Sequence, residues 1–393
     1  MSPWALLCLL PSAVMAEVDF SKQILPILSD RCFHCHGPDG SERKADLRLD
    51  LEGQAKRDRG GYQVVAEGDL DSSDLWYRIV TEEEDEVMPP PDSHRKPLSS
   101  SERNLIRQWI EEGAKWGNHW SFETPSRPPL PQGSKHPIDA FVQQRLSEAG
   151  LSPSPPAERH TQLRRLSFDL TGLPPEREEL GTTESWEAIV DRKLSSPHHG
   201  ERLAMWWLDA ARYSDTDGYQ QDANRTNWPW RDWVITAFNQ NMPFDQFTIE
   251  QFAGDLLPQA TSEQILATCF HRNHMTNGEG GRHPEESRID YVLDRINTTG
   301  TVWLGLTLGC SQCHDHKFDP ISQKDYYGLS AFFNSIDETG HAGTKAKPYL
   351  KYQSPFAERA VEEAKSWHSQ CQAAEQQSKS EATHRFATWL AKT

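Results

Sequence analysis

Two Cys-x-x-Cys-His pentads constrain this chain more than any other feature. They are Cys32-Phe33-His34-Cys35-His36 and Cys310-Ser311-Gln312-Cys313-His314. The spacing is that of covalent c-type haem attachment. Two thiols add across the two haem vinyl groups, and the adjacent imidazole becomes the proximal iron ligand. The pentads use four of only seven Cys, so a chance origin for both is a poor explanation. The site residues expected from the motif are Cys32, Cys35, Cys310 and Cys313 for attachment, with His36 and His314 on iron. At least one haem c is expected, and two if both pentads are used.

Bulk properties narrow the setting. With 393 residues, 36% hydrophobic and 25% charged, the chain can build two or three packed domains. A formal net charge of -17 argues against nucleic acid or an anionic membrane surface as partner, since both require a basic face. It suits a basic redox partner protein. Residues 1–16 read as a short signal peptide: an apolar run, then small residues, with cleavage after Ala16. The run lacks Lys or Arg ahead of it and is too short to span a bilayer. No other stretch reads as a transmembrane span. The expected location is therefore periplasmic or otherwise extracytoplasmic, where c-type haem is normally attached. Cys8 would leave with the signal; Cys269 and Cys371 belong to no motif, and either pair or stay idle.

The fold class expected is mainly α, with a small cytochrome c-like helical domain and a larger helical domain. Residues 17–117 form the first. Pro26 suits the first turn of a helix leading into the pentad. Ser99-Ser100-Ser101-Glu102 is a capping box opening a helix with Leu105, Ile106, Trp109 and Ile110 on one face, ended by Gly113. A haem-bearing first helix and an amphipathic last helix is the layout of a small cytochrome c. Residues 118–136, with four Pro, form a semi-rigid linker. Residues 137–340 read as a helical domain, with segments around 183–194, 200–213, 228–240, 261–272 and 285–305. Residues 341–393 end in a polar helix expected over 356–390.

The first haem needs a sixth ligand if it carries electrons. A Met thioether raises the reduction potential and closes the iron to substrates. Met88, stiffened by Pro89-Pro90-Pro91, is the expected distal ligand, with His94 competing. The acidic run Glu82–Glu86 is a solvated loop face or a docking patch for a basic partner.

The second pentad runs into His314-Asp315-His316-Lys317-Phe318-Asp319. His316 stands too close to His314 to reach the opposite face of the same iron; it could orient a propionate or ligate another centre. His271 and His274 are distal candidates, and an open iron is the alternative. Structural zinc, which wants four ligands, and dithiol chemistry stay open for both pentads. Elsewhere, Asp215, Asp217 and Asp222 resemble only part of a Ca²⁺ loop. Trp206, Trp207, Trp228, Trp230 and Trp233 crowd one region and read as core packing before sugar stacking. No phosphate loop or Ser nucleophile elbow is present.

Several stretches together resemble a known architecture. Cys32 to Gly40, Met88-Pro89-Pro90 and Trp109 to Ala114 resemble the Planctomycete-type cytochrome c domain. Asp169 to Pro175, Ala253 to Pro258, Asn297 to Trp303 and Cys310 to Pro320 are similar to the uncharacterised cytochrome-like domain that follows it in the same bacteria. The resemblance covers roughly residues 20–340 and implies haem and export but no reaction. Members usually continue into a further large domain, so this chain resembles a shortened member. Their association with polysaccharide-degrading bacteria makes polysaccharide a possible partner. The expected function is that of an exported, dihaem c-type cytochrome transferring electrons. The alternative is a haem-dependent oxidoreductase acting on an extracellular substrate such as a glycan, with the second domain catalytic.

Overall fold

The computed structural model describes residues 17–133, 136–220, 222–343, 346–353 and 355–392; the expected signal peptide lies outside these. The chain is mainly α-helical, and among the described residues the only β features are three isolated bridges. It divides into two compact units that alternate along the sequence. The first takes in residues up to Ser154 together with Thr299–Phe332; the second takes in Pro155–Thr298 and Phe333 onward. Residues 299–332, grouped with 137–340 in the linear reading, thus share a unit with the first pentad.

The first unit contains α1 (Leu25–Arg31), α2 (Phe33–His36), α3 (Glu52–Ala55), α4 (Asp74–Val80), α5 (Ser100–Glu111) and α6 (Pro137–Glu148). A π turn over Phe20–Ile24 leads into α1, with Pro26 in its first turn where the missing N–H costs nothing. The capping box at α5 forms as the sequence predicts. The Glu102 N–H donates to Ser99 Oγ at 3.2 Å, and the Ser99 N–H donates to Glu102 Oε2 at 2.6 Å. Ile106, Trp109 and Ile110 are buried and meet Phe20, Ile24, Leu28 and Phe33 in one core. Phe20, Trp109 and Trp116 pack as an aromatic trio with centroids 4.6–5.5 Å apart. Each fully buried large apolar side chain here contributes about 1.5–3 kcal/mol. That core fixes the helix carrying the first pentad.

The second unit begins with α7 (Arg159–Thr171), α8 (Trp186–Leu194), α9 (Pro197–Ala210), α10 (Trp228–Asn239), α11 (Phe244–Ala253) and α12 (Ser262–Ala267). α9 packs on α7 and α10, and α12 on α10 and α11. Gly200 lets α9 and α10 meet closely: its N–H donates to Asn239 Oδ1 at 2.9 Å, and a Cβ there would stand 2.5 Å from Asn239 Cγ. Trp230, Trp233, Val234 and Phe247 are buried, so two of the five clustered Trp are core, while Trp206 and Trp228 stay exposed. α13 (Pro284–Thr299) and α14 (Gln323–Asn334) cross the boundaries between the units. α15 (Pro355–Leu390) spans 36 residues, close to the expected 356–390. No described helix is long and apolar enough to cross a membrane.

Candidate haem-attachment sites

The first pentad sits where α1 gives way to the single turn of α2. The N–H groups of Cys35 and His36 both donate to the Cys32 carbonyl, at 3.1 and 2.8 Å. This turn gathers two thiols and one imidazole on a short stretch of backbone. The segment after it folds back: Lys44 N–H donates to Cys35 O and Leu49 N–H to His36 O, both at 2.8 Å. Gly37 must be glycine, because a Cβ would lie 2.3 Å from the Phe33 carbonyl oxygen. Burial, with Cys35 beside it, pushes the Cys32 thiol up to about 12. Burial likewise holds the His36 imidazole below its ordinary range, with the charge of Arg59 a lesser cause.

Three buried polar atoms here lack a hydrogen-bond partner: Arg31 Nε, His36 Nδ1 and Arg59 Nε. The rest of the Arg59 guanidinium donates to the carbonyls of Ala45, at 3.1 Å, and Asp46, at 2.8 Å. Sequence reasoning missed Arg59; its setting in Asp58-Arg59-Gly60-Gly61 reads only as a polar turn. Met88 is half-buried in its Pro-rich loop, its N–H donating to Arg78 O at 2.8 Å. His94 is exposed, in a left-handed backbone conformation with φ of 56°. Glu82 to Asp85 are exposed.

The second pentad repeats the first pattern more loosely. Cys313 and His314 N–H both donate to the Cys310 carbonyl, at 3.3 and 3.4 Å. Cys310, Cys313 and His314 are exposed. His314 Nδ1 lies 2.8 Å from the Asp315 carbonyl. That bond places the proton on Nδ1 and leaves the Nε2 lone pair available, the usual arrangement behind a metal-bound imidazole. His316 has a structural task. It is buried, and its Nδ1 accepts from the N–H groups of Asp319 at 2.9 Å and Phe318 at 3.3 Å. Asp319 in turn stands 3.3 Å from His119 Nε2.

Residues flanking the two pentads act on each other within the first unit. Asp39 is held below the usual carboxyl range chiefly by the Ser41 hydroxyl, and further by His314. Arg48 is raised chiefly by its bond to Asp50, and further by Asp315. Lys317 is lowered chiefly by burial and by Arg95, against the pull of Asp30 and Cys35.

The other candidates fall elsewhere. His271 and His274 belong to the second unit, whereas Cys310–His314 belong to the first. His274 is fully engaged: Nδ1 lies 2.9 Å from Met275 O and Nε2 lies 3.0 Å from an Arg295 nitrogen. His271 packs its ring against Phe252, Phe270 and Phe333. Among the described residues, no group of three or more His, Cys, Asp or Glu is placed to hold a metal ion. Asp217 accepts from the Thr276 hydroxyl and Asp222 from the Gly218 N–H, as in a polar turn. Cys269 and Cys371 are free thiols.

A mainly helical chain with a c-type pentad in its first compact unit defines the class: a protein with a cytochrome c-like domain. Residues 32–92 match the family described as Planctomycete cytochrome C, which implies covalently bound haem c. Residues 137–338 match the protein of unknown function family DUF1549. That match spans more than half of the 393 residues, and the chain belongs to this family. No curated protein and no solved structure matches it.

Proposed function

We propose that this protein is an exported dihaem c-type cytochrome that transfers electrons to or from redox partner proteins outside the cytoplasm. The observation that carries the reading is the placement of both pentads in one compact unit, each with two N–H groups converging on its first Cys carbonyl. Cys32 and Cys35 would anchor one haem, with His36 proximal and Met88 distal. Cys310 and Cys313 would anchor the other, with His314 proximal.

Haem, when bound, supplies one-electron chemistry. The chain's own residues prepare for it. Burial disfavours the charged form of the His36 imidazole, which suits a neutral ligand. Asp315 O fixes the His314 tautomer for the same purpose. The unpaired Arg59 Nε would hold a propionate. The exposed acidic residues Glu82 to Asp85 suit docking of a basic partner.

A pyridine haemochrome assay with intact mass, on protein made in a host competent for haem maturation, tests the reading. Two covalent haems per chain are expected. One haem would overturn the dihaem assignment, and none would overturn the cytochrome. The exposure of Cys310, Cys313 and His314 favours a second reading, a haem-dependent oxidoreductase acting on an extracellular substrate such as a glycan. A high-spin ferric signal shifted by cyanide would support it; two low-spin irons would count against it.

A further inference from the structure

The second unit contains a cavity of about 530 Å³ that the haem reading does not use. Its walls include Asp217, Arg225, Trp228, Arg272, Thr276 and Tyr349. The two arginines differ in how they are held. Arg225 is committed to the fold: Nε donates to Ser214 O at 3.2 Å, and its terminal nitrogens donate to the carbonyls of Arg272, Asn273 and His274 at 2.7–3.3 Å.

Arg272 is not committed. Its guanidinium makes no hydrogen bond among the described residues, and its one ionic neighbour, Glu338 Oε1, stands 3.9 Å away. Glu338 is instead held by Arg295, which donates to both carboxylate oxygens, at 2.6 and 2.8 Å. His274 Nε2 crowds the same oxygen at 3.6 Å. Burial disfavours the charged form of Arg272. A guanidinium that is only a quarter exposed, with its donors unmet, is a strong site for an oxyanion, since charge-assisted bidentate pairing satisfies both charge and donors.

The remaining lining says what should carry that oxyanion. Trp228 and Tyr349 are 39% and 58% exposed, so aromatic surface is available to a ligand. Thr226 and Gln353 also line the cavity and offer donors and acceptors suited to hydroxyl groups. An anion beside aromatic faces and neutral polar groups matches a hydroxylated ring with an apolar C–H face.

We propose that this cavity binds an anionic sugar, either a uronate or a sulfated unit, with Arg272 pairing to the oxyanion and Trp228 and Tyr349 contacting the ring. The site uses second-unit residues alone, so it stands whether or not haem is bound.

The test is isothermal titration of the full chain with digalacturonate, a sulfated galactose, galactobiose and inorganic sulfate. At least one of the two anionic sugars should bind at least tenfold more tightly than galactobiose and inorganic sulfate. Which one does so separates carboxylate from sulfate recognition. Arg272→Gln should reduce that affinity at least tenfold, with near-UV circular dichroism checking that the variant folds. Should it not fold, Trp228→Ala carries the test, expected to weaken sugar binding at least threefold without altering binding of inorganic sulfate. The proposal is overturned if neither anionic sugar binds, if galactobiose binds equally, or if folded Arg272→Gln retains full affinity. Sulfate binding as tightly as the anionic sugars would overturn the sugar assignment.

Discussion

Glu338 holds Arg295 through both carboxylate oxygens, at 2.6 and 2.8 Å, and each side chain is only 2% exposed. Glu338 follows α14 while Arg295 lies on α13, so the pair ties the second unit's late return of chain to its earlier helices. Removing one partner of such a pair strands a buried charge. Glu338→Gln should therefore cost about 3–5 kcal/mol, measured by denaturant unfolding at pH 7. A loss below about 1 kcal/mol would show that Arg295 finds another partner.

Acid should destabilise the protein in two stages. His271 is pushed down to about 3, by burial first and by the charges of Arg295 and His274 next. Its folded pKa lies below the unfolded value of about 6.5, so the unfolded chain binds the proton first. Its contribution is present above pH 6.5 and is lost as pH falls toward 3. Burial raises the Glu338 carboxyl, but Arg295 and His274 outweigh it and bring it down to about 2. Its contribution is present above about pH 4.5 and is lost as pH falls toward 2. His271→Phe should keep stability at pH 7, because Nδ1 is buried without a partner, and should flatten the decline between pH 6.5 and 4.5. An unchanged pH profile in this variant would remove His271 from the account.

Met88 and His94 can be separated by potential. If Met88 ligates the first iron, Met88→Ala should lower that haem's reduction potential and open its sixth position to added imidazole. His94→Ala should change neither, as His94 is exposed. The reverse result in a redox titration would exchange their roles.

Gly37→Ala should disturb one attachment site and spare the other. The new Cβ meets backbone at Phe33, which cannot yield as a flexible side chain would. A cost of about 1–3 kcal/mol is expected, together with a fall in haem loading at Cys32 and Cys35. Peptide mass mapping should find haem at Cys310 and Cys313 undiminished.

Local signals were readable in the sequence. The pentads, the Ser99 capping box, Pro26 in the first turn of α1 and the long polar α15 all follow from rules acting within a few residues. α11 escaped notice because its apolar residues, Phe244, Phe247, Ile249 and Phe252, fall around the helix and leave no clear stripe. Long-range facts escaped too. Nothing near Cys310 indicates that residues 299–332 rejoin the first unit, and nothing near Arg272 indicates that Arg295 has taken its carboxylate. Such relationships depend on which distant segments compete for the same space or partner, and linear periodicity does not encode that competition.

The alternation of the two units along the chain bears on biogenesis. A nascent chain extended only to residue 298 carries the first attachment motif but lacks a segment of the unit that surrounds it, and the next unit still awaits residues from 333 onward. Neither unit can be released by a single cut, so proteolysis or truncation anywhere between residues 155 and 332 leaves both incomplete. Completion of both units is thereby tied to synthesis of nearly the whole polypeptide.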